Sequence, residues 1–302
     1  MQAIKLLEEG KKKLYFQVVT VGVGANGGQF FRSLCQDIRT HFNAFDEGDN
    51  INRVTFGVDL TICDADKYER KNLSNQLCTE DDIGEYKVEA LAERYAGVYD
   101  ISVKSVTEYI KSADILHKLF TVTDISDQYQ KVKVLCGMVD NNKSRQLFHD
   151  YFYSDQVENL IWLDTGVTGV ELIDTESKQT EEERKSVEQS GFSGQIVVGF
   201  KYKGVVILEP ATVMFPNILE DAASHFPDES CGELIINNPQ RSATNKMAAL
   251  LANNVMNNLF HTQSIYNHVI NFNAQFCDAG GRISRITKEQ YQRFEELKQV
   301  AQ

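Results

Sequence analysis

The sequence predicts an α/β fold: a doubly wound, Rossmann-like, mostly parallel sheet with helices on both faces, plus a C-terminal antiparallel extension. Three observations predict it. Apolar strands alternate with amphipathic helices from residue 14 onward, a glycine cluster directly follows the first strand, and acidic residues directly follow the second. Strand–helix alternation is typical of parallel sheets that crossover helices cover, and glycines at the first strand–helix junction are typical of nucleotide-binding domains.

The elements are predicted in order from their hydrophobic patterns. A continuous apolar run at 14–21 predicts a buried parallel strand, and 54–62 predicts a second strand. Residues 29–41 place apolar side chains on one helical face, and 80–96 predict a helix whose acidic first turn complements its dipole. The remaining predicted elements are strands 101–109, 133–139 and 160–164, a helix at 143–152, a hairpin of 195–200 with 205–208, and a helix at 245–260.

These elements divide the chain into segments. Residues 174–193 are highly charged and nearly free of apolar side chains, which predicts an exposed loop or a solvated helix. The predicted divisions are an N-terminal helix (1–13), a nucleotide-binding domain (14–170), the charged insertion (171–194), a continuation of the domain (195–262) and a C-terminal tail (263–302).

Composition and charge exclude several classes of protein. The 302 residues include 42% hydrophobic and 25% charged residues, an ordinary globular composition. The formal net charge of −12 weighs against a nucleic-acid surface, because phosphate contacts need a basic patch. No apolar run approaches the roughly 20 residues that cross a bilayer, and the N-terminus lacks the apolar centre of a signal peptide. We therefore expect a cytoplasmic protein that binds neither nucleic acid nor membrane.

The glycine cluster has Gly-x-Gly-x-x-Gly spacing between a strand and a helix. Gly22 permits the tight turn, Gly24 lets a phosphate approach the backbone, and Gly27 lets the helix pack closely on the strand. Amide groups at the start of the helix then face the phosphates. The motif predicts nucleotide binding without naming the nucleotide, and a glycine-rich turn with no ligand is the alternative.

Two carboxylates, Asp64 and Asp66, follow the second predicted strand. A carboxylate at this position accepts hydrogen bonds from ribose hydroxyls. Asp64 lies 42 residues after Gly22, against a usual gap of about 20, and the polar loop 43–52 accounts for part of the excess. A solvated pair of loop acids is the alternative.

A longer block carries a more specific pattern. It contains DAD (64–66), NLSNQ (72–76) and DIGEYK (82–87). The block closely resembles the ThiF, MoeB and ubiquitin-activating superfamily, which has Asp-x-Asp, Asn-Leu-x-Arg-Gln and Asp-Ile-Gly-x-x-Lys at this spacing. CGMVDNNKSR (136–145) extends the resemblance, which covers about residues 14–260. The segment 230–245 is faintly similar to ThiF-like proteins of PRTRC systems.

The resemblance implies ATP-dependent adenylation. In this superfamily a carboxylate, usually the C-terminal glycine of a small ubiquitin-like or sulfur-carrier protein, attacks the α-phosphate of ATP. The chemistry requires a phosphate cradle, positive charge and a Mg²⁺ site. By position, the resemblance implies a nucleotide site of Gly22, Gly24, Gly27, Asp64, Asp66, Asn72, Asn75, Gln76 and Lys87, with Lys87 and Asp140 catalytic and Asp140 holding Mg²⁺.

Several of these positions have a structural alternative. Lys87 also fits a solvated helix residue, Asp140 a strand-end cap, and Asn72 a turn. Asn75 stands where the superfamily has a phosphate-binding arginine, so Arg70 and Lys71 are the nearby substitutes, or the chain is a weak or inactive subunit. A second departure is that residues 1–20 contain no arginine, whereas some dimers of the superfamily reach one into the partner's site. A homodimer is expected from the resemblance alone.

Cys231 is the candidate nucleophile. It lies in a polar loop about 14 residues before the helix at 245, where members of the superfamily that form a thioester carry a reactive cysteine. Attack on an adenylate requires an exposed thiol that can ionise. Acidic neighbours raise the pKa of a thiol, so an incidental loop cysteine is the alternative.

Four functions therefore remain compatible with the sequence. The leading one is adenylation of the C-terminal carboxylate of a small protein. A non-catalytic partner subunit is the second, motivated by Asn75. The glycine motif alone also allows a nicotinamide-dependent oxidoreductase, and ATP chemistry allows dehydration of a modified tRNA base, against which the acidic net charge argues mildly.

Overall fold

A mixed sheet forms the centre of the molecule. The computed structural model describes residues 2–46, 56–120, 125–171, 180–227, 240–279 and 283–299. Within these ranges the strands are β1 (Ile4–Lys5), β2 (Lys13–Val21), β3 (Phe56–Cys63), β4 (Val103–Val106), β5 (Tyr129–Gly137), β6 (Leu160–Val167), β7 (Ser193–Tyr202), β8 (Val205–Leu208), β9 (Ser264–Ile265), β10 (Asn267–Asn273) and β11 (Ile283–Arg285).

Helices cover both faces of the sheet. They are α1 (Ala25–Asp46), α2 (Lys87–Leu91), α3 (Gly97–Tyr99), α4 (Ala113–Leu119), α5 (Asn142–Tyr153), α6 (Glu181–Gln189), α7 (Ala211–Met214), α8 (Asn217–Glu220), α9 (Ser242–Thr262) and α10 (Lys288–Gln299). A π-helical segment (Ala92–Ala96) joins α2 to α3, and 3₁₀ turns lie at Arg70–Ser74 and Glu80–Asp82. Among the described helices, none has both the length and the apolar character needed to cross a bilayer.

The strand order confirms the predicted fold class. β4, β3, β2, β5 and β6 lie side by side and parallel. β7 adds antiparallel to β6, and β8, β10 and β11 continue the antiparallel part. The direction of winding reverses between β2 and β5, and the carboxyl ends of strands at such a point frame a binding crevice.

Two hydrophobic clusters enclose the sheet. One includes Phe30 of α1 and Met256 of α9, and the other includes Leu116 of α4 and Phe152 of α5. Neighbouring residues of β5 alternate between the two clusters, as the period of two in a strand requires. Because both faces are covered, the buried positions of the parallel strands are mostly apolar.

Two predicted helices differ from the structure. Residues 2–13 are not helical: Ile4–Lys5 pairs with β9, and Gly10 has a φ of +81°, which a helix does not accommodate. The helix predicted at 80–96 begins only at Lys87, because Thr79 and Asp82 close a 3₁₀ turn by a capping box and Gly84 then takes a φ of +92°.

The carboxyl-terminal half follows the prediction more closely. The hairpin of β7 and β8 turns at Lys203 and Gly204, both with positive φ, which is the geometry of a type I′ turn. The charged insertion contains the exposed helix α6. The predicted tail contributes β10 to the main sheet, and its helix α10 buries Phe294 against Tyr202.

Candidate functional site

A large crevice opens at the carboxyl ends of β2 and β5, with a volume of about 1310 Å³. Its walls come from the turn after β2, the 3₁₀ turn Arg70–Ser74, the start of α2, the loop after β5 and the segment after α7. The predicted site residues that line it are Gly22, Gly24, Asp64, Asp66, Asn72, Asn75, Gln76, Lys87 and Asp140.

The glycines of the first turn have different roles. Gly22 has a φ of +88°, and a Cβ there would lie 2.7 Å from the carbonyl oxygen of Met138. Gly27 is buried beneath the turn, where a Cβ would lie 2.2 Å from the oxygen of Gly22. At Gly24 the nearest described atom would be Nε2 of Gln76, 3.9 Å away. Gly22 and Gly27 therefore allow the turn to close, and Gly24 leaves room for a ligand.

Asp64 fastens this turn to β3. One carboxylate oxygen accepts the amide of Val23 at 2.8 Å, and the other accepts the amide of Asp66 at 2.9 Å. Burial raises the pKa of Asp64, and the ammonium group of Lys87 acts in the opposite direction. Carboxylate oxygens accept more than one hydrogen bond, so Asp64 can hold the turn and still accept a ribose hydroxyl.

Lys87 brings a buried ammonium group to the crevice. Only 7% of its side chain is exposed, and Nζ lies 2.9 Å from a carboxylate oxygen of Asp66. The hydroxyl of Tyr109 donates to the other oxygen of Asp66. Burial alone would lower the pKa of Lys87, but Asp64 and Asp66 outweigh it and raise the pKa. The ammonium group is therefore held charged and in a fixed position.

Asp140 lies at the opposite wall, in the loop after β5. Its carboxylate is exposed to the crevice, and its negative charge helps to raise the pKa of Lys87. Asn141, not Asp140, caps α5, because its side chain accepts the amide of Ser144 at 2.8 Å. No group of three or more acidic, histidine or cysteine side chains around a metal position occurs in the described residues. One carboxylate still fits Mg²⁺, which usually takes few protein ligands and completes its shell with phosphates and water.

The 3₁₀ turn and the two residues after it bring three side-chain amides to the crevice. Asn72 is mainly structural, since its side-chain oxygen accepts the amide of Glu69 at 2.8 Å. Gln76 has a buried side-chain oxygen with no hydrogen-bond partner among the described residues. Asn75 is partly exposed and brings no charge. The nearby cations face carboxylates, because Arg70 lies 2.8 Å from Glu80 and Lys71 lies 3.0 Å from Glu69.

Two ion pairs, one at the crevice and one beside it, were not predicted. Arg145 lies 3.1 Å from Asp164 and donates to the carbonyls of Val139 and Thr165, so it joins the ends of β5 and β6. Asp82 of the DIGEYK segment contacts Arg94 instead of the crevice. The sequence contains Arg145 in the 136–145 block and Arg94 12 residues after Asp82, but it does not show which carboxylate each arginine contacts.

A segment beyond α7 forms the far wall and was also missed. Asn142 donates to Asp221 at 2.8 Å, and the amide of Lys143 donates to Ser224 at 2.9 Å. The side-chain amide of Gln146 donates to the carbonyls of Ile218 and Asp221. These bonds hold the segment against the first turns of α5, and sequence separations of more than 70 residues hid them.

Cys231 lies outside the described residues. Of the described cysteines, Cys63 borders the crevice, and burial raises its pKa to about 12. A thiol with this pKa is not ionised near neutral pH, so Cys63 does not replace Cys231 as a nucleophile.

Comparisons with solved structures identify related folds. The chain aligns with a crystal structure of PaaA at a TM-score of 0.53 and 14% identity, and the alignment covers 90% of this chain and 64% of PaaA. It aligns with E. coli MccB with succinimide at a TM-score of 0.53 and 14% identity, covering 90% of this chain and 65% of MccB. It also aligns with E. coli MccB with ATP at a TM-score of 0.51 and 15% identity, covering 89% of this chain and 63% of MccB. The chain thus spans less than two thirds of the length of these proteins, and at this identity the likeness shows a common fold.

Sequence comparison identifies the family. A search of curated proteins finds no significant match. The model of the ThiF family, in contrast, matches residues 52–290, which include Lys87, Asp140 and most of the crevice. Since this match covers well over half of the chain, the protein belongs to the ThiF family.

Proposed function

We propose that the chain is an adenylyltransferase that uses ATP and Mg²⁺ to activate the C-terminal carboxylate of a peptide or small protein. One observation carries the proposal: a single crevice contains an open glycine turn, a buried ammonium group and an exposed carboxylate on the facing wall. These are the parts that phosphate binding, charge neutralisation and metal binding require. Membership of the ThiF family supports the same chemistry.

The reaction follows from these positions. The backbone at Gly24 and the first amides of α1 would bind phosphates, and Asp64 would accept the ribose hydroxyls. One oxygen of the incoming carboxylate forms a bond to the α-phosphorus while the bond to the bridging oxygen breaks, and pyrophosphate leaves with that electron pair. Lys87 stabilises the charge on the phosphates. Mg²⁺ held by Asp140 would neutralise further phosphate charge.

The carboxylate partner is proposed as a small ubiquitin-like or sulfur-carrier protein or a peptide. The crevice continues past the predicted nucleotide residues to Gln195, Phe215 and Ser242, which leaves space for an extended chain end. Structures of E. coli MccB include complexes with MccA, which favours a partner of this general kind. Transfer of the activated group to Cys231 and assembly as a homodimer remain parts of the proposal that rest on family resemblance.

Asn75 supports one alternative, a subunit that binds nucleotide without turnover. It lies in the crevice without charge, and Arg70 and Lys71 face Glu80 and Glu69. Tight ATP binding with no carboxylate-dependent reaction is the result that this alternative predicts.

ATP–pyrophosphate exchange tests the proposal with matched variants. With candidate carrier proteins and peptides that end in a free carboxylate, Lys87→Met and Asp140→Asn should each slow exchange by about 10²- to 10³-fold. Lys118→Met and Asp150→Asn remove the same charges from exposed positions on α4 and α5, and should leave exchange unchanged. Failure of the wild-type chain to bind ATP in the presence of Mg²⁺ would refute the proposal.

A further inference from the structure

The amino end of α9 lies at the crevice without a side-chain cap. Gln240 and Ser242 line the crevice where the helix begins. Arg241 is the N-cap residue, and its side chain makes no capping hydrogen bond to the described residues. The first amides of a helix carry partial positive charge, and no acidic side chain in this turn neutralises it. This end of α9 is therefore suited to an anionic group.

Two buried polar side chains, one in this turn and one in the wall of the same crevice, have no hydrogen-bond partner in the described part of the chain. Asn245 is 1% exposed, and both its side-chain nitrogen and oxygen are unpaired. Thr165 is also 1% exposed, lines the crevice and has an unpaired hydroxyl. Unpaired buried polar groups are rare, and each one calls for a functional or structural explanation.

The two side chains face the same layer between β6 and α9. Ile161, Leu163 and Thr165 alternate along one face of β6, and the first two belong to the core that α9 covers. Asn245 follows Thr244 at the start of the buried residues of α9 and lies one turn after Ser242, on the same side of the helix. The hydroxyl of Thr165 thus belongs to a residue that lines the crevice, and the amide of Asn245 is buried one turn behind the crevice-lining Ser242.

The first turn of α9 is fixed in place by the end of α6. Arg241 donates to the carbonyl of Ser190 at 2.8 Å and stacks 4.0 Å from the ring of Phe192. The hydroxyl of Thr244 donates to the carbonyl of Gly191 at 2.7 Å. Arg241 is therefore occupied, and the anion-binding groups available at this turn are the helix amides with Asn245 and Thr165.

We propose that this turn, Asn245 and Thr165 form the subsite for the terminal residue of the carboxylate substrate. The inference rests on the proposed function and adds which residues hold the reacting end. The amide nitrogen of Asn245 and the hydroxyl of Thr165 donate to the carboxylate, and the amide oxygen of Asn245 accepts the last peptide N–H. After small side-chain rotations, a ligand supplies the hydrogen bonds that these groups lack, which favours a free α-carboxylate next to an N–H.

The probe is N-acetylglycine, compared with N-acetylglycinamide, and binding is measured by ligand-observed NMR in the presence of ATP and Mg²⁺. The wild-type chain should bind the acid at least about tenfold more tightly than the amide, because a charged acceptor makes the stronger hydrogen bonds. Asn245→Leu and Thr165→Val should remove this preference, and Thr165→Ser should keep it. The control Asn254→Leu changes an exposed position of α9 and should bind as the wild type does.

Stability separates this role from a structural one. Replacing an unpaired buried amide by an apolar group of similar shape costs little, so Asn245→Leu should melt at or above the wild-type temperature. A markedly lower melting temperature would mean that Asn245 pairs with a buried water or with its own chain, and this would overturn the assignment. Undiminished preference for the acid in both Asn245→Leu and Thr165→Val would also overturn it.

The readouts also separate failure of this subsite from failure of the proposed function. ATP affinity should stay within about twofold in every variant, because the nucleotide contacts lie elsewhere in the crevice. Wild-type protein that prefers the acid but does not bind ATP would refute adenylation and leave the subsite standing. Normal ATP binding and exchange with unchanged probe preference in the variants would refute the subsite alone.

Discussion

At the residue scale, the pKa values of three aspartates in one short block shift in different directions because their partners differ. Burial raises the pKa of Asp64. Burial would do the same for Asp66, but Lys87 and the Tyr109 hydroxyl lower its pKa. Burial is likewise outweighed at Asp82, whose pKa the hydrogen bonds from Arg94 and Thr79 lower. Asp64 and Asp66 line the crevice, whereas Asp82 holds the turn that precedes α2 through its bonds to Thr79 and Arg94.

The lowered pKa of Asp82 predicts a pH-dependent contribution to stability. Because its folded-state pKa lies below the ordinary value of 3.8, the stabilisation is complete at neutral pH. It is lost progressively as the pH falls below about 5 and through the folded-state pKa. Asp82→Asn should lower the free energy of unfolding at neutral pH by about 1–3 kcal/mol, and this deficit should shrink toward pH ~3.

Urea unfolding at the two pH values measures this effect. Asp81→Asn is the matched control, since Asp81 is the exposed neighbour and its replacement should change stability by less than about 0.5 kcal/mol. A deficit for Asp82→Asn that is equal at both pH values would show that the carboxylate charge does not stabilise the turn.

At the scale of elements, the sequence predicted the helices, strands and turns that depend on neighbouring residues. The parallel strands, α1, α5, α9 and the hairpin of β7 and β8 follow from apolar periodicity and turn residues. Strand β1 was missed because Ile4 pairs with Ile265, which is more than 250 residues away in the sequence. The same limit applies to the site: Gly22, Asp64 and Lys87 stand in a recognisable order, but the contact of Tyr109 with Asp66 depends on the folded sheet.

The ion pair between Arg145 and Asp164, which links the ends of β5 and β6, gives a prediction at this scale. Asp164 and Arg145 are 2% and 8% exposed, so Asp164→Asn leaves a buried guanidinium without its counter-ion. The free energy of unfolding should fall by about 3–5 kcal/mol. Because the double variant Arg145→Met/Asp164→Leu buries no charge, it should lose less than Asp164→Asn does. Chemical denaturation measures both.

An exposed ion pair provides the comparison for the stability contributed by the buried pair of Arg145 and Asp164. Lys185 lies 3.0 Å from Glu181 on α6, and both side chains are more than half exposed. Lys185→Met should cost at most about 1 kcal/mol. If the double variant were less stable than Asp164→Asn, the bonds from Arg145 to the strand-end carbonyls would be the larger contribution.

At the scale of the molecule, the crevice lies where the two halves of the winding meet. β2 and β3 contribute the glycine turn and the carboxylates Asp64 and Asp66, and β5 contributes Asp140 from the other half. A nucleotide bound between them would contact both halves. Its binding energy would then add to the stability of the whole fold, since ligands that bind only the folded state stabilise it.

Ligand-dependent melting therefore tests the nucleotide assignment. ATP with Mg²⁺ at about 100 times its dissociation constant should add about 2.7 kcal/mol, which raises the melting temperature by about 5 °C for a domain of this size. NADH at the same concentration should produce no comparable shift, because the acidic residues and Lys87 are arranged around a triphosphate in the proposed site. Chelating Mg²⁺ should reduce the ATP shift in the wild-type chain but leave it unchanged in Asp140→Asn, if Asp140 holds the metal. A larger shift with NADH than with ATP would instead support the nicotinamide alternative, and an ATP shift equally sensitive to chelation in Asp140→Asn would remove the metal from Asp140.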